Sequence, residues 1–424
     1  MAGSVLVAVA CGSSNSVTGG SSNSSSSSSK AITGGPGVDV ANKTINIGVI
    51  SAISGPAAAL GAPAVNGATA FWDDINASGG IDGWHVNFGP PKDDDYPNTQ
   101  MHVQAFNQIK DNIALLESFG SPTTLSIQKL VDPLKLVTAP LSWSSTWGAD
   151  LVMAPLGTPY AFDIANALDY VTNAGAKKMK VGIIYQNDEY GIDGDRGFKA
   201  AVQAYGLTDA GQKGFAVPGT TDYTAQVQAM KNAGAQVVVL TALPSSAGPI
   251  IGTAATLNFH PQWILQGPSW IENLMTSDGS ATGKATPIQP AVVGSLVMMF
   301  TAPWGDTGAP AMAQVLADQQ KYFPKQQPSI YFSWAYARAK VEYAILKKAI
   351  ESGDLSRDGI YKAKISLGLV DLGGLAPNVT YTDKPGPPSR SSIIGQVTLG
   401  VPGFLKPVQS NYEGQVAKTL TLGT

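Results

Sequence analysis

From Lys43 onward the apolar residues fall into short unbroken runs, separated by longer stretches in which they recur every three or four positions. "TINIGVIS" precedes such a stretch from Pro63 to Ser78, "WHVNFG" one from Asn98 to Ile109, and "IALLES" one from Thr123 to Leu134. The alternation resumes with "KVGIIYQ" before Arg196 to Tyr205, "GFAVP" before Tyr223 to Asn232, and "QVVVLTA" before Ala247 to Leu257. Runs that are apolar at nearly every position predict strands covered on both faces, and the helices between them predict parallel pairing. Two such series predict an α/β fold of two doubly wound lobes. The last third is looser: "GSLVMMFTAPW" reads as a strand, Pro310 to Tyr322 and Tyr331 to Glu351 as helices, Gly373 to Pro388 as a Pro/Gly-rich connection, and "IIGQVTLGV" as a closing strand. "NASGGIDG", "NAGAKK" and "NAGAQ" carry the residues that end a helix with positive φ.

In open α/β sheets ligands settle outside the carboxyl ends of the strands, so the strand-to-helix loops are where function is sought. They read "ISGPAAALG", "KDDDYPNT", "SFGSPTT", "PLSWSSTWGAD", "QNDEYG", "TALPSSAG" and "QGPSW". Hydroxyls, backbone N–H groups at helix starts and aromatic walls suit a small polar solute or carboxylate held by neutral donors.

Composition narrows this further. The 424 residues exceed what one core supports, which agrees with two lobes. Charged residues make up only 13% and the net charge is -3, so neither a nucleic-acid footprint nor a polybasic membrane surface is present. No GxSxG, HExxH or GxGxxG after a strand occurs, and "GSATGKAT" misses the phosphate-loop spacing. His85, His102 and His260 lack metal-ligand spacing and read as structural or exposed. Asp93, Asp94 and Asp95 are expected to cap the following helix and line its loop rather than hold a cation. Asp188 and Glu189, adjacent in sequence, cannot flank one reacting bond. Asp188 reads as a helix cap, Glu189 as a solvated rim and Tyr190 as a cleft wall. No cofactor and no metal is expected.

Cys11 is the only cysteine, so the body has no disulfide. "SVLVAVAC" resembles the end of a bacterial lipoprotein signal, with Cys11 as the lipidated residue. Residues 1–10 lack the cationic start of such a signal, which implies a start upstream or a trimmed chain. The Ser/Gly-rich residues 12–42 read as a flexible tether.

"INIGVISAISGPAAALGAPAVNGATAFWDDINASGGIDG", "ESFGSPTTLSIQKLV", "VGIIYQNDEYGIDGDRGFKAAV" and "YFSWAYARAKVEYAILKKA" resemble, in order, the type I periplasmic solute-binding proteins of the leucine/isoleucine/valine-binding branch that serve ABC transporters. The resemblance implies two Rossmann-like lobes joined by three crossover segments, the first taking 43–158 and 303–390, the second 159–302 and 391–424. It implies a carboxylate held at Ser121 and Ser142, with Thr123 and Ser144 beside them, and aromatic contacts from Tyr190 and Tyr331. Ser54, Trp143, Ser269 and Trp270 complete the expected ligand-binding set. Amino-acid-binding relatives have an acid in the loop that reads "QGPSW" here, so a ligand without an α-ammonium is expected unless Asp188, Glu189 or Asp150 reaches inward. The implied role is a monomeric, lipid-anchored, extracytoplasmic receptor that captures a small organic acid, amide or branched-chain-type amino acid for ABC permease subunits and catalyses nothing. A ligand sensor on the same fold, and a hydrolase or transferase using Asp188 or Glu189, are the rivals.

Overall fold

The computed structural model describes residues 32–217 and 219–423. Strands β1 (Val38–Asp39), β2 (Thr44–Ser51), β3 (His85–Phe88), β4 (Lys92–Asp93), β5 (Leu115–Phe119) and β6 (Thr138–Leu141) form a first sheet. In it β2 pairs in parallel with β3, β4 and β5, and β5 with β6. Helices α1 (Ala58–Ala77), α2 (Thr99–Ile109) and α3 (Ser121–Val131) connect these strands. Strands β7 (Lys180–Gln186), β8 (Thr208–Phe215), β9 (Val237–Thr241), β10 (Gln262–Gln266) and β11 (Leu296–Met299) make the parallel part of a second sheet. Its helices are α4 (Tyr160–Thr172), α5 (Glu189–Tyr205), α6 (Thr224–Ala233), α7 (Pro244–Thr256) and the short α8 (Gln289–Val292).

The chain then returns to the first sheet. Helices α9 (Met312–Tyr322), α10 (Ile330–Ser352) and α11 (Arg357–Ile365) lead into a two-stranded ribbon, β12 (Gly368–Val370) and β13 (Val379–Tyr381). Helix α10 lies against α1, and Gly67 makes the approach possible, because a Cβ there would stand 2.1 Å from the Phe332 carbonyl oxygen. A third pass adds β14 (Ser392–Val397), antiparallel to β11, then β15 (Leu405–Tyr412) and α12 (Gln415–Thr419), so that the second sheet runs β15-β14-β11-β10-β9-β7-β8. The chain thus crosses between the two sheets three times.

The strands form where the apolar runs demand it: all five residues of β9, "VVVLT", are buried, as two-sided helix cover requires. Several boundaries depart from the sequence reading. Helix α1 begins at Ala58 rather than Pro63, because its proline is carried inside the helix. Helix α5 begins at Glu189 rather than Arg196, capped by the Asp188 side chain on Gly191 N at 3.1 Å. In "NAGAKK" the helix ends at Asn173, with φ 53°, and Ala174 and Gly175 follow with positive φ of 50° and 78°, so the left-handed cap begins two residues before the glycine. The expected tether is too long: Thr33 N donates to Gly353 O at 3.0 Å, Leu355 N to Thr33 O at 2.7 Å, and β1 pairs with β2, so residues 32–42 belong to the body. Cys11, its apolar leader and the rest of that tether lie outside the described residues. No helix among the described residues is long and apolar enough to cross a membrane.

Candidate functional site

The carboxyl ends of both sheets face one another through the loops that follow β4, β5 and β6 on one side and β7 and β10 on the other. The turn after β5 depends on Gly120, whose φ is 85°. A Cβ at that position would stand 2.4 Å from Tyr96 Cε2 and 2.5 Å from Thr123 Oγ1, so the turn closes only around glycine. Beyond it Ser121 opens α3 and directs its hydroxyl toward the Tyr160 phenol of α4, at 3.5 Å. Tyr96 OH donates across to Asp188 Oδ2 at 3.4 Å, and Ser144 Oγ to Glu189 Oε1 at 2.8 Å. These bonds join loops of different sheets, so the cleft is shut: Ser121, Ser142, Trp143, Ser144, Tyr190, Ser269, Trp270 and Tyr331 are each at most 3% exposed.

An aromatic belt lines the closure. Tyr190 lies 4.6 Å from Tyr160, Tyr160 6.0 Å from Trp143, and Trp143 stacks on Phe300 at 4.0 Å with 21° between planes. Phe300 continues to Tyr331 at 5.4 Å, while Trp334 packs behind Trp143 at 4.7 Å. Of the four aromatics expected at the ligand, Trp143, Tyr190 and Tyr331 are joined in the belt by Tyr160, Phe300 and Trp334, while Trp270 is fully buried and meets it through its carbonyl, bonded by the Tyr331 hydroxyl. Of the three that join them, Tyr160 opens a helix with no recognised pattern, Phe300 ends a strand that reads as core, and Trp334 lies inside an expected helix. Tyr331 is in the first turn of α10, and its hydroxyl donates to the Gly267 and Trp270 carbonyls at 3.1 and 2.9 Å.

The hydroxyls differ in how free they are. Ser142 Oγ accepts from Trp147 Nε1 at 3.0 Å and keeps its own proton to give. Thr123 Oγ1 donates to the Phe119 carbonyl. Ser269 Oγ donates to Leu240 O at 2.9 Å, accepts from Ala242 N at 3.1 Å and stands 3.3 Å from Tyr190 OH, so it clamps the end of β9 to Tyr190. Ser54 is exposed on the rim, outside this enclosed group.

The acids of the lip are half-buried. Asp188 and Glu189 both have their carboxyls raised by burial; Gly191 N and Gln186 oppose that at Asp188, and the Ser144 hydroxyl opposes it at Glu189. Glu189 is thus a half-buried partner of Ser144 rather than a freely solvated rim residue. Asp150 turns away and accepts from Gln128 Nε2 at 2.9 Å. Glu272, missed because it lies two residues past "QGPSW", has its carboxyl pushed up to about 8 by burial, with the Glu272 and Ile330 amides opposing.

The aspartate run behaves differently from its expected role. Asn98 caps α2, accepting from Met101 N at 3.1 Å, while Asp93 holds the Ile53 and Asp95 amides and Asp94 pairs with His102. An asparagine side chain one residue before the helix outcompetes carboxyls placed several residues earlier. His85 and His260 are exposed. Among the described residues no group of three or more His, Cys, Asp or Glu side chains is placed to hold a metal ion.

Residues 44–400 match the model of the periplasmic binding protein family. The chain is 32% identical over 203 residues to the Leu/Ile/Val-binding protein homolog 3 of Brucella melitensis, which covers 46% of this chain and 53% of that protein. It is 26% identical over 211 residues to an amino acid binding protein of Pseudomonas aeruginosa, 48% of this chain and 55% of that one. It therefore spans about half the length of the curated relatives it matches. Among solved structures the fold is similar to a fatty acid ABC transporter substrate-binding protein from Thermomonospora curvata, with a TM-score of 0.84 and 24% identity over 93% of this chain and 98% of that chain. It is also similar to a branched chain amino acid ABC transporter protein from Thermus thermophilus with bound valine, with a TM-score of 0.74 and 17% identity over 91% and 98%. As its motifs imply, the chain belongs to the periplasmic binding protein family.

Proposed function

We propose that the chain is the extracytoplasmic solute-binding component of an ABC importer, that it catalyses nothing, and that it acts as a monomer. The observation that carries this reading is the meeting of hydroxyl-bearing and aromatic loops from two separate sheets in one shut cleft. A ligand captured there shifts an open–closed equilibrium through contacts available only in the closed form. In this reading residues 43–158 with 303–390 and residues 159–302 with 391–424 move as the two bodies, and Cys11 ties them to the membrane through a lipid. Fractionation of cells expressing wild type and Cys11→Ser tests the tie: equal distribution of the two between membrane and soluble envelope would remove it.

The ligand is a small carboxylate or amide with an apolar or aromatic body. Ser121, Ser142 and the start of α3 receive its polar end; Trp143, Tyr160, Tyr190 and Tyr331 receive its body. Ser142 suits this role because the indole N–H it accepts polarises the proton it offers. Ser269 cannot offset the cost of burying an ammonium. A second reading rests on Asp188, half-buried beside Tyr96, as the carboxyl that would pair an ammonium. Competition calorimetry between leucine and 4-methyl-2-oxopentanoate separates the two: tighter binding of the keto acid is expected, and tighter binding of leucine turns attention to Asp188→Asn. Ser121→Ala and Ser142→Ala are each expected to weaken the keto acid by roughly ten- to a hundredfold, and wild-type affinity in both would remove them from the site.

A further inference from the structure

Under the first sheet's loops runs a chain of side chains to which the cleft assigns no contact with ligand. Asp94 Oδ2 lies 2.7 Å from His102 Nδ1, His102 Nε2 lies 2.9 Å from Ser118 Oγ, and Ser118 Oγ lies 2.7 Å from Thr124 Oγ1. All four residues are completely buried, and Thr124 Oγ1 also donates to the Ser118 carbonyl at 3.2 Å. An acid, an imidazole and a serine in line have the connectivity of a hydrolytic triad. Here, however, the serine is sealed from solvent, and another hydroxyl occupies the place an acyl group would need.

What the chain connects is position. Asp94 belongs to the loop that leads, two residues on, to Tyr96, whose ring stands edge-on to Phe119 at 5.4 Å and whose hydroxyl crosses the cleft to Asp188. Ser118 is two residues before Gly120 and three before Ser121, and Thr124 completes the first turn of α3 by donating its amide to the Gly120 carbonyl at 3.1 Å. His102, on α2, bonds both the loop that carries Asp94 and the end of β5 that leads into Gly120 and Ser121. In buried surroundings such bonds are strong and a partner left alone is costly, so each loop is held at one distance from the other.

We propose that Asp94, His102, Ser118 and Thr124 form a positioning relay that sets the spacing of Tyr96 and Ser121, making His102 a determinant of affinity although it touches no ligand. The affinity clause rests on the reading of the cleft given above; the positioning clause does not.

Two substitutions divide the imidazole. His102→Asn keeps a polar group near the Nδ1 position and loses the bond to Ser118; His102→Gln keeps one near Nε2 and loses the bond to Asp94. In ligand-free protein, amide hydrogen exchange is expected to quicken at residues 121–125 in the first variant and at 93–96 in the second. Titration with 4-methyl-2-oxopentanoate is expected to show a loss of about tenfold in each. Thr124→Val keeps the shape of the side chain and should quicken exchange at 121–125 alone, which carries the test if both histidine variants fail to fold. Unchanged exchange at both segments overturns the relay, and changed exchange with wild-type affinity overturns the role of His102 in binding. Changed exchange in a protein that binds neither the keto acid nor leucine upholds the relay and overturns the reading of the cleft.

Discussion

Strand β5 separates two buried polar clusters that could hardly be less alike. On the face toward α10, Glu117 pairs with the Arg338 guanidinium, and Glu342 lies one helical turn further along, 3.7 Å from Arg338 Nε. Two carboxyls share one cation there, and neither Glu342 oxygen has a hydrogen bond of normal geometry. On the face toward α2 and α3, the next residue, Ser118, sits in a line of bonds of ordinary length. A single step along a strand reverses the direction of the side chain, so adjacent residues serve opposite faces. The hydrogen-bonded line favours one arrangement of the segments it joins. The ion cluster, carrying more acid than base, makes the fold sensitive to protons instead. It also backs the cleft, since Arg338 lies over the Trp334 ring at 4.9 Å, behind Trp143.

The contrast can be broken most forcefully at Arg338. Arg338→Ala strands two carboxyls in the interior and is expected to cost about 3–5 kcal/mol of stability, read as a fall in the urea midpoint. A loss under about 1 kcal/mol would mean that the carboxyls were already neutral.

The second prediction concerns Glu342, whose carboxyl is raised well above its ordinary value by burial and then by the Glu117 charge, with Arg338 opposing. The folded form holds this proton to higher pH than the unfolded chain does. Its stabilisation is therefore complete below the ordinary value of 4.5 and is lost as pH rises through the folded value. Wild type should lose melting temperature between pH 5 and 8 more steeply than Glu342→Gln. Asp163 and Glu272, each pushed up to about 8 by burial, add a slope of the same sign to both proteins, so the difference isolates the cluster. Parallel curves would show that Glu342 does not titrate there.

The smallest effect is expected on the other face. Ser118→Ala leaves His102 Nε2 without its partner and should cost about 1–2 kcal/mol, read as a fall in the urea midpoint. A loss as large as that of Arg338→Ala would erase the distinction between the two faces.

Much of this was legible before any coordinates. Strands such as β7 and β9 announce themselves because helices cover both faces and every position must be apolar. Strand β15 does not, since as an edge strand it leaves Lys406, Gln409, Ser410 and Asn411 exposed. Helix α4 escaped notice for the opposite reason: it is buried nearly all round, with Asp163 and Asp169 inside, so no polar face marks its period. In the cleft, Tyr190 and Trp143 were reachable from the rule that ligands meet strand-end loops. The relay was not, because Asp94, His102 and Ser118 come from three segments and only the packing of α2 on β5 brings them into line.

The third crossing between the sheets imposes an order on synthesis. Strand β11 has nothing on its outer side until residues 392–397 arrive, more than ninety residues after it. A nascent polypeptide emerging N-terminus first can finish its first sheet while the second still presents Leu296, Val297, Met298 and Met299 along a bare, hydrogen-bond-hungry edge. Such an edge templates intermolecular pairing. A chain that stops between Met299 and Ser392 would keep much of the fold and leave that edge adhesive, so strand β14 protects the rest from aggregation.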